Sequence, residues 1–431
     1  MDLAGALAYL DEHINLEADA SARAAERRLD RAKRMVELMG DPQKAYPVLH
    51  LTGTNGKGST ARILTALLVA KGLSTGTYTS PHLERFNERI AWNAEPISDG
   101  ALVEVLESVA GIEVVLDSPP TVFEILTTAA FRWFADVAVD AAVVEVGLGG
   151  RWDTTNIADG QVAVVTNVSL DHAETIGPTL VDIAAEKAGI VKPDSTLVLG
   201  ETDPELAAIF RSAGAAEVWE RGRHFACERN ELAHGGRLLD LRTPGGRYDD
   251  VYLPVHGAHQ GDNAAVALAA AEAFFGAPLD PDVVAEALAA VRIPGRLEVM
   301  GRQPLCVLDG AHNPAGARAA AAAIAEAFGQ ATGTVLVVGL LEGKDPAEML
   351  DALGARSARV VVACPAPSPR SLPPGDVAAA AHALGLETDT AGSVPEALAR
   401  ALALASPDEL VLVSGSLYVV GAARAALGTS R

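Results

Sequence analysis

A short apolar run, Val48–Leu51, leads into the glycine-rich segment Gly53-Thr54-Asn55-Gly56-Lys57-Gly58-Ser59, and Ala61–Lys71 follows with apolar residues at helical spacing. Strand, glycine-rich loop and helix in that order is the layout of a phosphate-binding unit. Glycine lets the backbone turn so that successive amide N–H groups face one anion. A helix opening near Ser59 adds the positive end of its dipole. Lys57 supplies a point charge, and the Ser59 hydroxyl can reach a phosphate-bound Mg2+. The segment departs from the strict form GxxxxGK[ST]: Leu51 stands where the first glycine belongs, and Gly58 follows the lysine. An ordinary glycine-rich turn is the alternative reading.

Further apolar runs at Ala141–Val146, Val162–Asn167 and Thr196–Leu199 suit parallel strands buried on both faces. Helical patterns at 121–136 and 179–188 alternate with them, which indicates an α/β layered domain. Residues 3–39 read as helical, 218–255 as antiparallel strands at the edge of the sheet, and His259–Phe275 as a helix. Near Ile293–Arg296 a second α/β pattern begins. It has strands at Leu305–Leu308, Thr334–Val338, Arg359–Ala363 and Leu410–Val413, a helix at Gly316–Phe328, and a proline-rich loop at Pro365–Pro374. The expectation is an α/β protein with a larger N-terminal P-loop domain over 1–294, built on a mostly parallel sheet, and a smaller Rossmann-like α/β domain over 295–431.

A formal net charge of −22 argues against a general nucleic-acid binder, which needs a basic footprint. It leaves room for an anionic substrate, because local lysine and arginine can make a positive cleft on an acidic protein. Cys227, Cys306 and Cys364 are too scattered for a disulfide framework or a zinc site. The N-terminal residues lack the basic start and apolar core of a secretion signal, and no apolar run is long enough to span a membrane. The expectation is a cytoplasmic protein whose partners are small molecules, with no nucleic acid and no membrane.

Glu145 closes one predicted strand and His172 follows another. In open α/β sheets ligands bind outside the carboxyl ends of the strands, so both side chains can converge with the loop at 53–59 on one crevice. A solvated strand end for Glu145 and a hydrogen-bonded structural role for His172 are the alternatives.

The loop GTNGKGS resembles the phosphate loop of the Mur ligase superfamily, and its form is similar to that of the folylpolyglutamate synthase/dihydrofolate synthase branch. Nine further segments agree in order: TSPHLERFNERI (79–90), TVFEILTTAAF (121–131), EVGLGGRWDTTN (145–156), NVSLDHAETIG (167–177), EKAGIVK (186–192), HQGDN (259–263), PGRLE (294–298), DGAHNP (309–314) and SGSLY (414–418). The resemblance implies an ATP- and Mg2+-dependent amide ligase, a monomer, that adds L-glutamate to dihydropteroate or reduced folates through an acyl phosphate. A Mur-type ligase for a different carboxylate, such as a peptidoglycan precursor, is the alternative. With about fifty residues ahead of the loop, the extra domain that a uridine nucleotide normally requires is not expected.

The resemblance further implies that Thr54, Asn55, Gly56, Lys57, Gly58 and Ser59 bind nucleotide phosphate, and that Ser80, Glu145 and His172 bind Mg2+. It implies that Lys187 is carbamylated and holds a second Mg2+ site. Arg296 is implied to reach the phosphates from the hinge, Asn263 to lie on the adenine side and Asp309 to bind the nucleotide, with His312 near phosphate or the incoming amino acid. Phe123, Glu124, Trp152, Asp153 and Thr154 match segments that contact the pteroate. Core packing is the alternative for Phe123, a helix cap for Asn263, an N-cap or turn for Asp309 and a solvated linker for Arg296. Ser414 and Ser416 match a motif without an assigned role.

Overall fold

The structure is a computed structural model that describes residues 1–15 and 29–428. It contains two compact units. The first comprises Met1–Asn230, Leu238–Leu253 and Gly261–Val291; the second comprises Glu231–Arg237, Pro254–Gln260 and Arg292–Arg431.

The first unit is built on an eight-stranded sheet. In spatial order its strands are Glu95–Pro96, Ile90–Trp92, Thr75–Tyr78, Ala141–Glu145, Val48–Thr52, Gly160–Val165, Thr196–Leu199 and Glu217–Glu220. The last six run parallel, and the first two fold back antiparallel. Val48–Thr52 lies between two neighbours and is buried along its whole length, so an unbroken apolar run suits it better than alternation. Its register sets the site. Leu51 lies beside Glu145 and Thr52 beside Val165, so Gly53, Val146 and Thr166 leave the sheet at one edge.

Helix Lys57–Ala70 covers the sheet with Ile63, Leu64, Leu67 and Leu68 fully buried. Helix Val122–Asp136 packs into a core with Tyr78, Phe131 and Phe134. Its start is set by a capping box between Thr121 and Glu124.

Three readings of the sequence need correction here. Residues 3–39 are not one helix: Leu3–Asp11 and Asp30–Leu38 are separate helices, residues 12–15 have left the helical path, and 16–28 lie outside the described residues. The phosphate-loop helix opens at Lys57 rather than near Ser59, because Gly56 adopts φ +82° and caps it directly. In the 218–255 segment only Glu217–Glu220 joins the main sheet, and it pairs in parallel. The remainder forms a sheet of its own from Ala226–Ala233, Gly236–Thr243 and Gly246–Leu253. A turn through Gly222 at φ +85° takes the chain out of the main sheet before these strands begin.

The second unit has a six-stranded sheet ordered Glu298–Arg302, Leu305–Leu308, Leu410–Ser414, Thr334–Val338, Ala358–Ala363 and Glu387–Thr390. Only the first pairing is antiparallel. After Leu308 the chain skips the place later filled by Leu410–Ser414. Open α/β sheets bind ligands beyond the carboxyl ends of their strands, and the end of Leu305–Leu308 is one of these. Asp309, whose N–H donates to the Val413 carbonyl at 3.0 Å, stands there. Glu387–Thr390 was not anticipated from the sequence: it is a polar edge strand with no apolar run to mark it.

Candidate active site

The phosphate loop is held from one side by the segment that leaves the neighbouring strand. The Thr54 N–H donates to the Asn167 carbonyl at 2.9 Å, and the Thr54 hydroxyl to the Ser169 carbonyl at 3.1 Å. The Asn55 N–H donates to Asn167 Oδ1 at 3.0 Å, while the Asn55 carbonyl accepts from Thr166 Oγ1 at 2.7 Å and Asn167 Nδ2 at 2.9 Å. Gly53 has φ +151°, and a side chain there would fall on the Thr166 hydroxyl. At Gly56 a Cβ would lie 2.5 Å from Asn263 Oδ1, so the buried Asn263 amide packs directly on the turn. Beyond it, the N–H groups of Lys57, Gly58 and Ser59 open the helix and have no partner one turn back. They make up the positive end of the helix dipole, as an anion site requires.

Two lysines meet under this loop. Lys57 Nζ donates to the carbonyls of Gly53 at 3.0 Å and Thr54 at 3.3 Å. Lys187 Nζ, at the end of helix Leu180–Lys187, donates to the same Gly53 carbonyl at 2.8 Å. Lys187 is not a surface residue: its burial, reinforced by the Lys57 ammonium, pushes its amine down to about 7. The burial is made by the turn at 149–152. The Arg151 N–H donates to the Glu186 carbonyl at 2.9 Å, and the Trp152 N–H to Glu186 Oε1 at 3.0 Å. A Cβ on Gly150 would stand 2.8 Å from the Glu186 carbonyl oxygen and 2.9 Å from Lys187 Cα. Only glycine lets the two backbones approach so closely.

Glu145 is 4% exposed and accepts from the Ser80 N–H at 3.3 Å. Its Oε2 lies 3.5 Å from where a Cβ on Gly58 would stand, so the carboxylate faces the first turn of the phosphate-loop helix. His172 sits at φ +52° ahead of the short helix Ala173–Ile176, with Nε2 3.8 Å from Asp171 Oδ1. Among the described residues no group of three or more His, Cys, Asp and Glu side chains is arranged to hold a metal ion. The donor chemistry is therefore divided. A buried carboxylate beside phosphate-facing amides fits a hard cation such as Mg2+, which takes few protein ligands when phosphate supplies the rest. The Lys187 amine does not fit one, because it donates rather than coordinates.

The structure distributes the five other residues of this unit between fold and surface. Phe123 packs over Gly147 with its ring 6.0 Å from that of Tyr78. Glu124 is fully engaged by the chain: it closes the Thr121 capping box and takes a bidentate pair from Arg31, with Nη2 to Oε2 at 2.6 Å. Asp153 is buried, accepts from the N–H groups of Leu148 and Thr155, and caps the one-turn helix Thr154–Ile157. Burial pushes its carboxyl up. Thr154 is half-buried and Trp152 is 44% exposed.

In the second unit Asp309 Oδ2 accepts from the Leu297 N–H at 3.0 Å and Oδ1 from the Ala311 N–H at 2.9 Å. The Arg296 guanidinium lies against Gly310, and His312 Nδ1 is 3.0 Å from the Gly310 carbonyl. Asn313 caps helix Pro314–Phe328. Ser416 Oγ accepts from the Tyr418 and Val419 N–H groups at the start of helix Leu417–Gly428. Thus Arg296, Asp309 and His312 gather on one turn, beside the strand that ends in Ser414.

This arrangement has known counterparts. The Mur ligase middle domain matches residues 51–271, and the Mur ligase glutamate ligase domain matches residues 295–417. The dihydrofolate synthase/folylpolyglutamate synthase of Mycobacterium tuberculosis is 39% identical, over 93% of this chain and 90% of its own. The chain belongs to the folylpolyglutamate synthase/dihydrofolate synthase family of Mur ligases. The folylpolyglutamate synthase of Lacticaseibacillus casei is 36% identical, over 91% of this chain and 92% of its own. The solved M. tuberculosis folylpolyglutamate synthase complexed with ADP superposes with a TM-score of 0.92 at 39% identity, covering 99% of this chain and 98% of that one. As a member of this ligase family the chain has two sets of contacts that the motifs did not announce: Thr166, Asn167 and Ser169 brace the loop, and Arg31 neutralises Glu124. Asn167 and Ser169 fall in a matched segment, NVSLDH, but hydrogen-bonding roles of this kind depend on register and leave no pattern in one sequence.

Proposed function

We propose that this ligase couples ATP cleavage to amide formation, adding L-glutamate to dihydropteroate, to reduced folates, or to both. The observation that carries the reading is the meeting of Lys57 and Lys187 on the Gly53 carbonyl, beside the buried Glu145, at the carboxyl edge of a parallel sheet. The relatives' names supply the acceptor class, and the loop geometry supports the nucleotide.

A carboxylate is a poor acylating agent because oxide is a poor leaving group. In the proposed sequence an acceptor carboxylate oxygen attacks the γ-phosphorus of ATP. The bond to the β-phosphate oxygen breaks, and ADP leaves. The uncharged α-amine of glutamate then attacks the acyl carbon, phosphate departs with the electron pair of its C–O bond, and the nitrogen gives up one proton to water. The chain's work is placement and charge neutralisation. The amides of Lys57, Gly58 and Ser59 orient the phosphates, and the Lys57 ammonium offsets their charge. Thr54, Asn55 and Gly56 shape the turn, and Asn263 lies against it on the base side. Arg296 adds a bidentate donor for phosphate, Asp309 an acceptor for the ribose, and His312 a group near the incoming amino acid. Trp152 and Phe123 offer aromatic surface to a flat acceptor, while Glu124, Asp153 and Thr154 hold the segments that carry them.

Ser80, Glu145 and His172 would hold one Mg2+, and Lys187, carbamylated at Nζ, a second. When bound, these ions supply positive charge at the phosphate oxygens. A lysine amine near 7 has the neutral population that reaction with CO2 demands, and the carbamate converts a donor into an oxygen acceptor. Residues 1–294 would form the nucleotide-binding domain and 295–431 the glutamate domain of a cytoplasmic monomer. The test mixes the protein with ATP, Mg2+, L-glutamate and either dihydropteroate or a reduced folate, and follows ADP and product mass. ATP turnover indifferent to both acceptors would refute the reading; comparing the two acceptors assigns the activity.

A further inference from the structure

The Asn167 carboxamide grips the Asn55 residue by both of its backbone groups. Oδ1 accepts the Asn55 N–H at 3.0 Å and Nδ2 donates to the Asn55 carbonyl at 2.9 Å, which reproduces with a side chain the exchange between paired strands. The Thr166 hydroxyl donates to the same carbonyl at 2.7 Å. Peptide units are planar and trans, so N–H and C=O point in opposite directions across each unit. Anchoring the Asn55 carbonyl on Asn167 therefore aims the Gly56 N–H away from Asn167. Anchoring the Asn55 N–H sends the Thr54 carbonyl the other way, and there it accepts from Lys57 Nζ at 3.3 Å. Two consecutive peptide units are thus oriented by one side chain. The Asn55 N–H itself is unavailable to a ligand, so the anion-facing amides begin at Gly56.

We propose that Asn167 is a positioning residue of the ligase reaction: its carboxamide fixes the two peptide units of Asn55 so that the Asn55–Gly56 unit turns its N–H, and not its carbonyl, to the nucleotide phosphates, while the Thr54 carbonyl is taken up by Lys57 Nζ. This rests on the reading that the loop binds ATP. If the Asn55–Gly56 peptide flipped, a carbonyl dipole would replace an N–H at the phosphate, turning attraction into repulsion in the one place where negative charge concentrates. Asn167 needs no contact with substrate to exert this control. The acceptor and glutamate are bound by other elements, so its loss is felt at the nucleotide alone.

The experiment compares wild type, Asn167→Ala, Asn167→Asp and Thr166→Val. Readouts are KM for ATP, acceptor and glutamate, kcat, ADP affinity by calorimetry, and melting temperature. Asn167→Ala is expected to raise KM for ATP and weaken ADP tenfold or more, with acceptor and glutamate KM within twofold. Asn167→Asp keeps the acceptor for the Asn55 N–H but sets a carboxylate against the Asn55 carbonyl, and is expected to be at least as impaired. Thr166→Val keeps the shape, removes one of the two donors to that carbonyl, and is expected to lose threefold to fivefold; it stands in should the Asn167 variants fail to fold. ATP and ADP parameters within twofold of wild type in folded variants would overturn the proposal, as would an equal rise in every KM. Wild type that binds ADP but forms no amide would instead overturn the assigned reaction. Wild type that fails to bind ADP would overturn both.

Discussion

Lys187 Nζ lies 2.8 Å from the carbonyl oxygen of Gly53, across 134 residues of chain. A residue from the far end of one helix thereby touches the first turn of the phosphate loop, and the loop's own Lys57 shares the same oxygen. Two ammonium groups on one carbonyl repel each other, and an anion or loss of a proton relieves that repulsion.

Replacing Lys57 with Ala removes the charge expected to face the phosphates while leaving helix Lys57–Ala70 with a strong helix former. Turnover should fall below detection, with the melting temperature within a few degrees of wild type. Steady-state ADP release and circular dichroism check both halves.

Lys187 provides a pH-dependent outcome. Its amine is pushed down to about 7 from 10.5, so the neutral form dominates above pH 7 and the ammonium below it. Carbamate forms from the neutral amine only. With 13C-bicarbonate present, a carbamate carbon signal should grow as pH rises through 7, and it should be absent in Lys187→Ala. That variant should lose at least a hundredfold in turnover. A wild-type spectrum with no such signal at pH 8.5 would remove the second metal site from the mechanism.

Buried His50 supplies an acid-lability prediction. Its Nε2 pairs with Thr155 Oγ1 at 2.8 Å, and burial pushes the imidazole down to about 3 from 6.5. The unfolded chain therefore binds the extra proton first, and the group costs stability as pH falls from 6.5 towards 3. The slope is at most about 1.4 kcal/mol per pH unit. His50→Gln should flatten the fall of stability over that window, as read by urea denaturation at pH 7, 5.5 and 4.5.

Gly150→Ala places a methyl group against the Glu186 carbonyl oxygen and Lys187 Cα, both of them backbone atoms that cannot rotate aside. A cost of about 1–3 kcal/mol is expected from overpacking. Turnover should drop more than stability alone explains, because Lys187 is displaced. Denaturation midpoints and kcat measured on the same preparation separate the two effects.

Arg31→Met leaves the buried Glu124 carboxylate without its bidentate partner. About 3 kcal/mol of destabilisation is expected. The double variant Arg31→Met/Glu124→Gln should recover part of that loss, which a thermal melt of both variants tests.

Much of this was legible in the sequence, and the reasons differ by element. Val48–Thr52 and Ala141–Glu145 were visible because a strand covered on both faces must be apolar throughout. Glu387–Thr390 was hidden because an edge strand carries no such obligation. Gly56 announced the loop but not the opening of the helix one residue later, since a left-handed cap is a property of φ rather than of composition. Glu145 stands at the strand end as expected from spacing. Glu124 and Asp153 match motifs, yet their carboxylates are occupied by Arg31, Thr121, Leu148 and Thr155. A motif records that a carboxylate is required, and only the contacts say what requires it.

The turn from Gly149 to Trp152 has a further consequence. It roofs Lys187 on its inner side and displays an indole to solvent on its outer side, and both duties hang on the hydrogen bonds to Glu186. The indole can be exchanged for another side chain without touching those bonds, but the turn cannot be lengthened, shortened or re-angled without uncovering the amine. Variation in what this rim presents to incoming molecules is therefore confined to the choice of side chains at 151 and 152, whereas the path of the backbone beneath them is committed to keeping one lysine dry.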